Sequence, residues 1–317
     1  MILIDVGAAG ELLPRFSKVK DKTIIAFEPE EKAFKELKKK YSSENYIILK
    51  QALSKKSQEV ELKVTKKGQC SSIFEPNMEL LKKFPASERF EVVEREKIFT
   101  DSLDNVLEKK NIYSPNFIKL DIQGGELEVL KGASETLNRI SCIELEIAFS
   151  ELYVGQPLFS EIEQYLREFH FEVWDITRAY QKLNSTINIG NKKGKLISGD
   201  ALFFKKPSEL VKSNRILNEV EFKSLVKNSF MISELYGFSD YSFELLEQSK
   251  RFYSEKELKI FESYFSKKQR LTTKSFLSSQ RYEIALFLAD NLNKLADTIQ
   301  PYDSACKVGD RFLGVNF

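Results

Sequence analysis

The stretch IKLDIQGGELEVLKGA, residues 118–133, begins as an apolar run and breaks abruptly at Asp121. Gln123, Gly124, Gly125 and Glu126 follow at once, and a helical pattern starts at Leu127. A short apolar run closed by glycines reads as a buried strand delivering its chain to a turn and then to a helix. In an open parallel sheet such strand exits are where ligands bind. Two acids and a carboxamide at one exit therefore mark a candidate site.

The same rhythm recurs on both sides of this stretch. Strands are predicted over Ile2 to Val6, Thr23 to Phe27, Tyr46 to Leu49, Glu59 to Val64, Phe117 to Leu120, Ser141 to Ile147, Phe171 to Ile176 and Asp200 to Phe204. Helices are predicted over Lys32 to Tyr41, Leu127 to Leu137 and Phe159 to Phe169. Strands separated by helices imply right-handed crossovers and a mostly parallel α/β sheet. Residues 184–199, rich in Asn, Gly and Lys, read as a mobile loop. After Lys205-Lys206-Pro207 the character changes to helical periodicity, clearest from Arg281 to Leu295. The expected division is 1–207 for the α/β domain and 208–317 for an all-helical extension.

Composition narrows the function. Of 317 residues, 42% are apolar and 30% charged, and the net charge is +2, so the chain reads as globular with no polyanion-binding surface. Nucleic acid is not an expected partner. No apolar run reaches the ~18 residues of a membrane span. The N-terminus, MILIDVGAAG, lacks the basic start of a signal peptide. Three scattered cysteines, Cys70, Cys142 and Cys306, build no disulfide framework or zinc site and suggest a reducing, cytoplasmic setting.

The unusual residues cluster at strand exits: Asp5 with Gly7 to Gly10, Glu28, and Asp121 to Glu126. Gly7 and Gly10 allow a tight turn with close backbone approach to a ligand. Glu28 is placed to accept hydrogen bonds from ribose hydroxyls. A dinucleotide turn offers amides to a pyrophosphate. Here Asp5 enters the turn, and a carboxylate repels phosphate but suits an α-amino group or a sulfonium. That favours S-adenosyl-L-methionine over NAD. Glu144 and Glu146 alternate along one strand and share a face; they are either buried acids near the substrate or solvated acids at an edge. The only histidine, His170, lies far in sequence from the strand exits and reads as structural.

Together IDVGAAG (4–10), AFEP (26–29), QALSKKSQEVEL (51–62), GQCSSIFEPN (68–77), DSLDNVL (101–107), residues 118–133 and IELEIAFSELYVGQPLF (143–159) resemble the FkbM-type methyltransferase family. The resemblance runs from about residue 2 to 206 and ends in GDALFFKK. It implies a Rossmann-like class I sheet, mostly parallel with the last strand antiparallel, and S-adenosyl-L-methionine as cofactor. It also implies O-methylation of a sugar, glycan precursor or natural-product hydroxyl as the activity. By the resemblance, Asp5, Gly7, Ala8 and Gly10 face the methionine part, Glu28 and Pro29 the ribose, and Gln51 and Ala52 the adenine. Asp121, Gln123, Gly124 and Glu126 flank the transferred methyl.

The commoner family form has an Asn and one more residue in the first turn. Helices preceding the first strand, usual in class I enzymes, are expected to be absent or replaced by the C-terminal ones. Asp121 is the first candidate for base or metal ligand, with Glu126 and Glu146 beside it; Glu126 either ligates or caps the following helix. A divalent metal is left undetermined. Tyr153, Gln156 and Phe159 either shape the acceptor pocket or anchor their loop, and Cys70-Ser71-Ser72 borders it. The extension is left three roles: a homodimer contact, a cofactor cover, or a docking face for a glycan-assembly partner. Two alternatives stand beside this reading: a nucleotide-binding oxidoreductase and a non-catalytic interaction protein.

Overall fold

The computed structural model describes residues 1–8, 10–186 and 194–276. The first half holds β1 (Ile2–Val6), β2 (Thr23–Phe27), α1 (Glu31–Lys40), β3 (Tyr46–Leu49), β4 (Ala52–Leu53), β5 (Gln58–Thr65), α2 (Met78–Leu81), β6 (Val92–Asp101) and α3 (Leu103–Lys109). Then come β7 (Phe117–Leu120), α4 (Glu126–Lys131), α5 (Ser134–Arg139), β8 (Cys142–Ala148), α6 (Phe159–Glu168), β9 (Phe171–Ile176), β10 (Ala179–Gln181) and β11 (Lys195–Lys205). Four helices follow: α7 (Pro207–Lys212), α8 (Glu219–Leu235), α9 (Ser239–Ser249) and α10 (Glu255–Phe276).

The main sheet runs β3-β2-β1-β7-β8-β11, with β9 and β10 both paired to β11. The pairs from β3 through β8 are parallel, and β11 is antiparallel to β8. This is the mostly parallel sheet with an antiparallel last strand that the sequence predicts. Its interior strands are short and apolar because both faces are covered, which suppresses the polar alternation of a half-exposed strand. Strand order reverses at β1 and β7, so the crevice expected of such a sheet opens at their carboxyl ends.

One face packs Ile4, Ile25, Ile118 and Ile143 against Val106 of α3, Leu130 of α4, Leu137 of α5 and Ile162 of α6. The other packs Leu3, Phe117, Leu202 and Phe204 against Leu37 of α1 and against Leu210, Phe222, Ile232 and Leu245 of the C-terminal helices. The helices after residue 207 therefore supply a layer of the sandwich and share a core with the sheet. Entry into α8 is fixed by Asn218, whose side chain accepts from the Glu221 amide while Glu221 accepts from the Asn218 amide.

Three expectations need correction. The helix over 127–137 is two short helices broken at Gly132, where a Cβ would lie 2.3 Å from the Ser54 carbonyl oxygen. Of the loop expected over 184–199, residues 187–193 lie outside the described residues, and from Lys195 the chain is β11, which pairs antiparallel with β8. The strand over Glu59 to Val64 does not join the main sheet. It belongs to β5, which pairs with β6 in a separate sheet of order β4-β6-β5. The segment Arg281 to Leu295 and Cys306 lie outside the described residues.

Candidate functional site

Six strand or post-strand positions share one face at the carboxyl end of the sheet. Pairing sets Asp5 beside Lys119, Lys119 beside Glu144, and Glu146 beside Asp200. Asp121 follows Lys119 by two residues and so stays on that face. Glu144 and Glu146 are thus on an interior strand and are not solvated edge acids. Lys119 Nζ lies 3.9 Å from Asp5 Oδ1 and 3.5 Å from Asp121 Oδ2. Burial would lower the Lys119 pKa, but Asp5, Asp121, Glu144 and Asp200 around it hold it above the ordinary lysine value.

Asp5 is buried, and its Oδ1 has no hydrogen-bond partner among the described residues. Burial pushes its pKa up to about 6, against the pull of Lys119. The turn above it is held by Gly7 and Ala8, whose amides both donate to the Phe27 carbonyl. Gly7 has φ +81°, and a Cβ there would sit 2.0 Å from the Asp121 carbonyl oxygen, so only glycine fits. Gly10, at φ +89°, has nothing within 4 Å of its would-be Cβ and borders open space. At the tip of β2, Glu28 is buried and accepts the Glu30 amide on Oε1 at 2.9 Å. Burial raises its pKa to about 7. Pro29 leads from it into α1. Gln51 and Ala52 lie beyond β3; Gln51 Nε2 donates to the carbonyls of Ala52 and Phe99.

The turn after β7 is shaped by Glu126. Its Oε1 accepts the Ile122 amide and its Oε2 the Gly124 amide, both at 2.9 Å. Both oxygens are thereby engaged within the loop, and burial raises the pKa to about 7. Gln123 adopts φ +58°, unusual for a residue with a side chain. Its Nε2 donates to Glu146 Oε2 at 2.6 Å and to Asp121 Oδ1 at 3.3 Å. Its Oε1 faces the Tyr153 hydroxyl at 3.1 Å. Gln123 thus ties the turn, β8 and the following loop together. Glu146 is held well above the usual carboxylate range, first by burial, then by the charges of Asp121, Glu126 and Asp200 and a hydrogen bond with Asp121.

Beside this group a pocket is lined by Gln123, Gly124, Glu146, Leu152, Gln156 and Ser198, among others. Tyr153 is buried, and its hydroxyl also reaches the Cys70 carbonyl oxygen at 2.8 Å. Ser72 Oγ donates to the Gln123 carbonyl oxygen at 2.7 Å, so the 70–72 segment does border the turn. Phe159 packs on Phe149 instead, in the core. His170 stands at φ +65°, a conformation that favours glycine, away from the crevice beside Glu209.

Sequence reasoning missed Lys119, Asp200 and Tyr236. The Tyr236 hydroxyl, at the end of α8, donates to Glu144 Oε2. The one available signal was Lys119 itself, a charge inside a four-residue buried strand. Among the described residues no group of three or more His, Cys, Asp or Glu is arranged to hold a metal ion, and no helix is long and apolar enough to cross a membrane.

A doubly covered sheet in this strand order, with acids at the exits of β1, β2 and β7, defines a Rossmann-like methyltransferase fold. The particular family follows from comparison: the methyltransferase FkbM domain model matches residues 5–173, and the chain belongs to that family. Two solved structures are similar to it. Methyltransferase FkbM from Methylobacillus flagellatus KT shares 15% identity over 64% of this chain and 42% of its own, with a TM-score of 0.36. A SAM-dependent methyltransferase from Anabaena variabilis ATCC 29413 shares 11% identity over 65% of this chain and 77% of its own, with a TM-score of 0.31. The chain thus spans less than half the length of the Methylobacillus protein. No curated protein matches it.

Proposed function

We propose that the chain is an S-adenosyl-L-methionine-dependent O-methyltransferase acting on a hydroxyl of a sugar, glycan precursor or natural product. We take residues 1–207 as its catalytic domain. One observation carries the reading: Asp5, at the reversal of strand order and followed by a glycine turn, presents a buried oxygen that makes no hydrogen bond among the described residues and has Lys119 no closer than 3.9 Å. A buried acceptor without a donor is costly, and an incoming ammonium or sulfonium offsets that cost. A carboxylate there repels a pyrophosphate, which argues against the oxidoreductase alternative.

The residues present fit the donor. Asp5 and the backbone of Gly7, Ala8 and Gly10 would hold its amino-acid part, Glu28 Oε2 and Pro29 its ribose, and the Gln51-Ala52 backbone its adenine. When bound, it supplies a methyl group on a positively charged sulfur. The rest is done by the chain. Asp121, half exposed and backed by Lys119, accepts the proton of the acceptor hydroxyl. Gln123, locked by Glu146 and Tyr153, fixes the orientation of Asp121. Glu146 accepts from Gln123 and holds that carboxamide in place beneath Asp121. Glu126 clamps the loop so that these groups converge. The small pocket at Gln156, Leu152 and Ser198, with room for about one water molecule, marks the side from which an acceptor hydroxyl would approach Asp121.

The test is a screen of sugar and natural-product hydroxyls with a methyl-labelled donor, with and without chelator. Label transferred to oxygen supports the proposal. Label on nitrogen or carbon sinks the O-methyl assignment, and no binding of the donor at all sinks the whole reading.

A further inference from the structure

Resting on that reading of the crevice, we infer that Tyr236, in the C-terminal helical layer, is a positioning residue for the cofactor site, acting through Glu144 and Lys119. Tyr236, Glu144, Lys119 and the two crevice acids lie in sequence across one face of the sheet, with Glu144 and Lys119 side by side in strand register and without an ion pair of their own. The Tyr236 hydroxyl donates to Glu144 Oε2; Glu144 pairs across the sheet with Lys119; Lys119 Nζ reaches Asp5 at 3.9 Å and Asp121 at 3.5 Å. The phenol is itself fixed. Its ring packs on Phe16 and Phe117, and the Arg15 guanidinium sits 4.3 Å above it while donating to the Leu235 carbonyl.

The facing groups are few and can be enumerated. Lys119 faces Asp5, Asp121, Glu144 and Asp200. Glu144 faces Tyr236, Asp200, Lys119 and Arg15. One ammonium therefore faces four acids: Asp5 and Asp121 at the crevice, Glu144 beneath it and Asp200 on the far strand. The Tyr236 hydroxyl satisfies the lower acid and leaves Lys119 to the upper pair. Removing the hydroxyl strands a buried carboxylate, whose desolvation is costly without a donor. Two cations face Glu144, Lys119 and Arg15; Arg15 is held at the Leu235 carbonyl, and Lys119, the one shared with the crevice, turns toward Glu144 and away from Asp5 and Asp121. Deprived of their counter-charge in a buried setting, those acids no longer present fixed ionised oxygens to a ligand's ammonium.

Calorimetry with S-adenosylhomocysteine on the full chain tests this in a mutant cycle. Wild type must bind first; absence of binding removes the functional reading and this inference with it. Tyr236→Phe is expected to weaken binding about tenfold while circular dichroism stays unchanged. Glu144→Gln, which needs no counter-charge, is expected to bind within threefold of wild type. The double variant is expected to regain that affinity. A merely structural tyrosine would lower the melting temperature without moving affinity. Wild type binding with a folded Tyr236→Phe within twofold of it, or a double variant as weak as Tyr236→Phe, overturns the inference alone. If Tyr236→Phe does not fold, Lys119→Gln serves in its place: a tenfold loss is expected, and unchanged affinity overturns the inference.

Discussion

Replacing Gly7 by alanine sets the geometry of the crevice against a number. The residue stands at φ +81°, and an added Cβ would lie 2.0 Å from the Asp121 carbonyl oxygen and 3.0 Å from Ile122 Cγ2. The left-handed backbone alone costs a side chain about 1–2 kcal/mol. The overlap is with backbone that cannot swing away, because the Asp121 amide is bonded to the Val6 carbonyl; overpacking of this kind costs about 1–3 kcal/mol. The sum is roughly 2–5 kcal/mol, or about 4–20 °C in Tm at roughly 2–4 °C per kcal/mol for a chain of this size. Gly10→Ala provides the internal control. At φ +89° with nothing near its would-be Cβ, it bears the backbone term only, about 1–2 kcal/mol. Urea unfolding of the two variants, followed by donor-product calorimetry, measures the difference. Any movement of the Asp121 turn in Gly7→Ala also lowers turnover. If Gly7→Ala proves no less stable than Gly10→Ala, the claimed contact between the first turn and the Asp121 backbone is wrong.

Three further outcomes are expected. Asp121→Asn keeps donor affinity within a few-fold and lowers turnover by ~10²-fold or more; unchanged turnover in a labelled-methyl assay excludes Asp121 as the base. Asp5, Glu28 and Glu126, with pKa values raised to about 6, 7 and 7, bind more protons folded than unfolded between about pH 4.5 and 7. Their contribution to stability therefore grows as pH falls through 7, while donor affinity falls as the same acids lose charge; Tm and affinity moving together across pH 7.5 to 5.5 would contradict this. Lys205 donates to the Leu137 and Asn138 carbonyls at the end of α5. Lys205→Met strands those two acceptors and is expected to lower stability by about 1–3 kcal/mol at unchanged turnover, read by urea titration beside the activity assay.

Much of this was readable in advance for definite reasons. β1, β2, β3 and β7 are short, mostly apolar runs, and β9 mixes apolar and acidic residues after a helix, so their limits stand in the sequence. β6 was not seen: in VVEREKIFTD the charged residues outnumber the apolar ones, and its order comes from pairing with β5, about 35 residues earlier in the chain. The break at Gly132 depends on Ser54, which no local pattern reveals. The acids of the site were legible because a carboxylate at a strand exit is rare without a task. Lys119 and Asp200 were not, because their meaning lies in the cross-strand register that sets them beside Asp5, Glu144 and Glu146. Tyr236 is 92 residues from Glu144 and meets it only because the C-terminal helices cover the second face of the sheet.

A crystal structure with S-adenosylhomocysteine bound addresses the central claim most directly. The account requires the ligand to straddle the tips of β1 and β2, its amino group on Asp5, its ribose on Glu28 and its sulfur turned toward Asp121 and Gln123. A complex with the ligand elsewhere, or with that crevice closed by side chains and Asp5 turned into them, would contradict it.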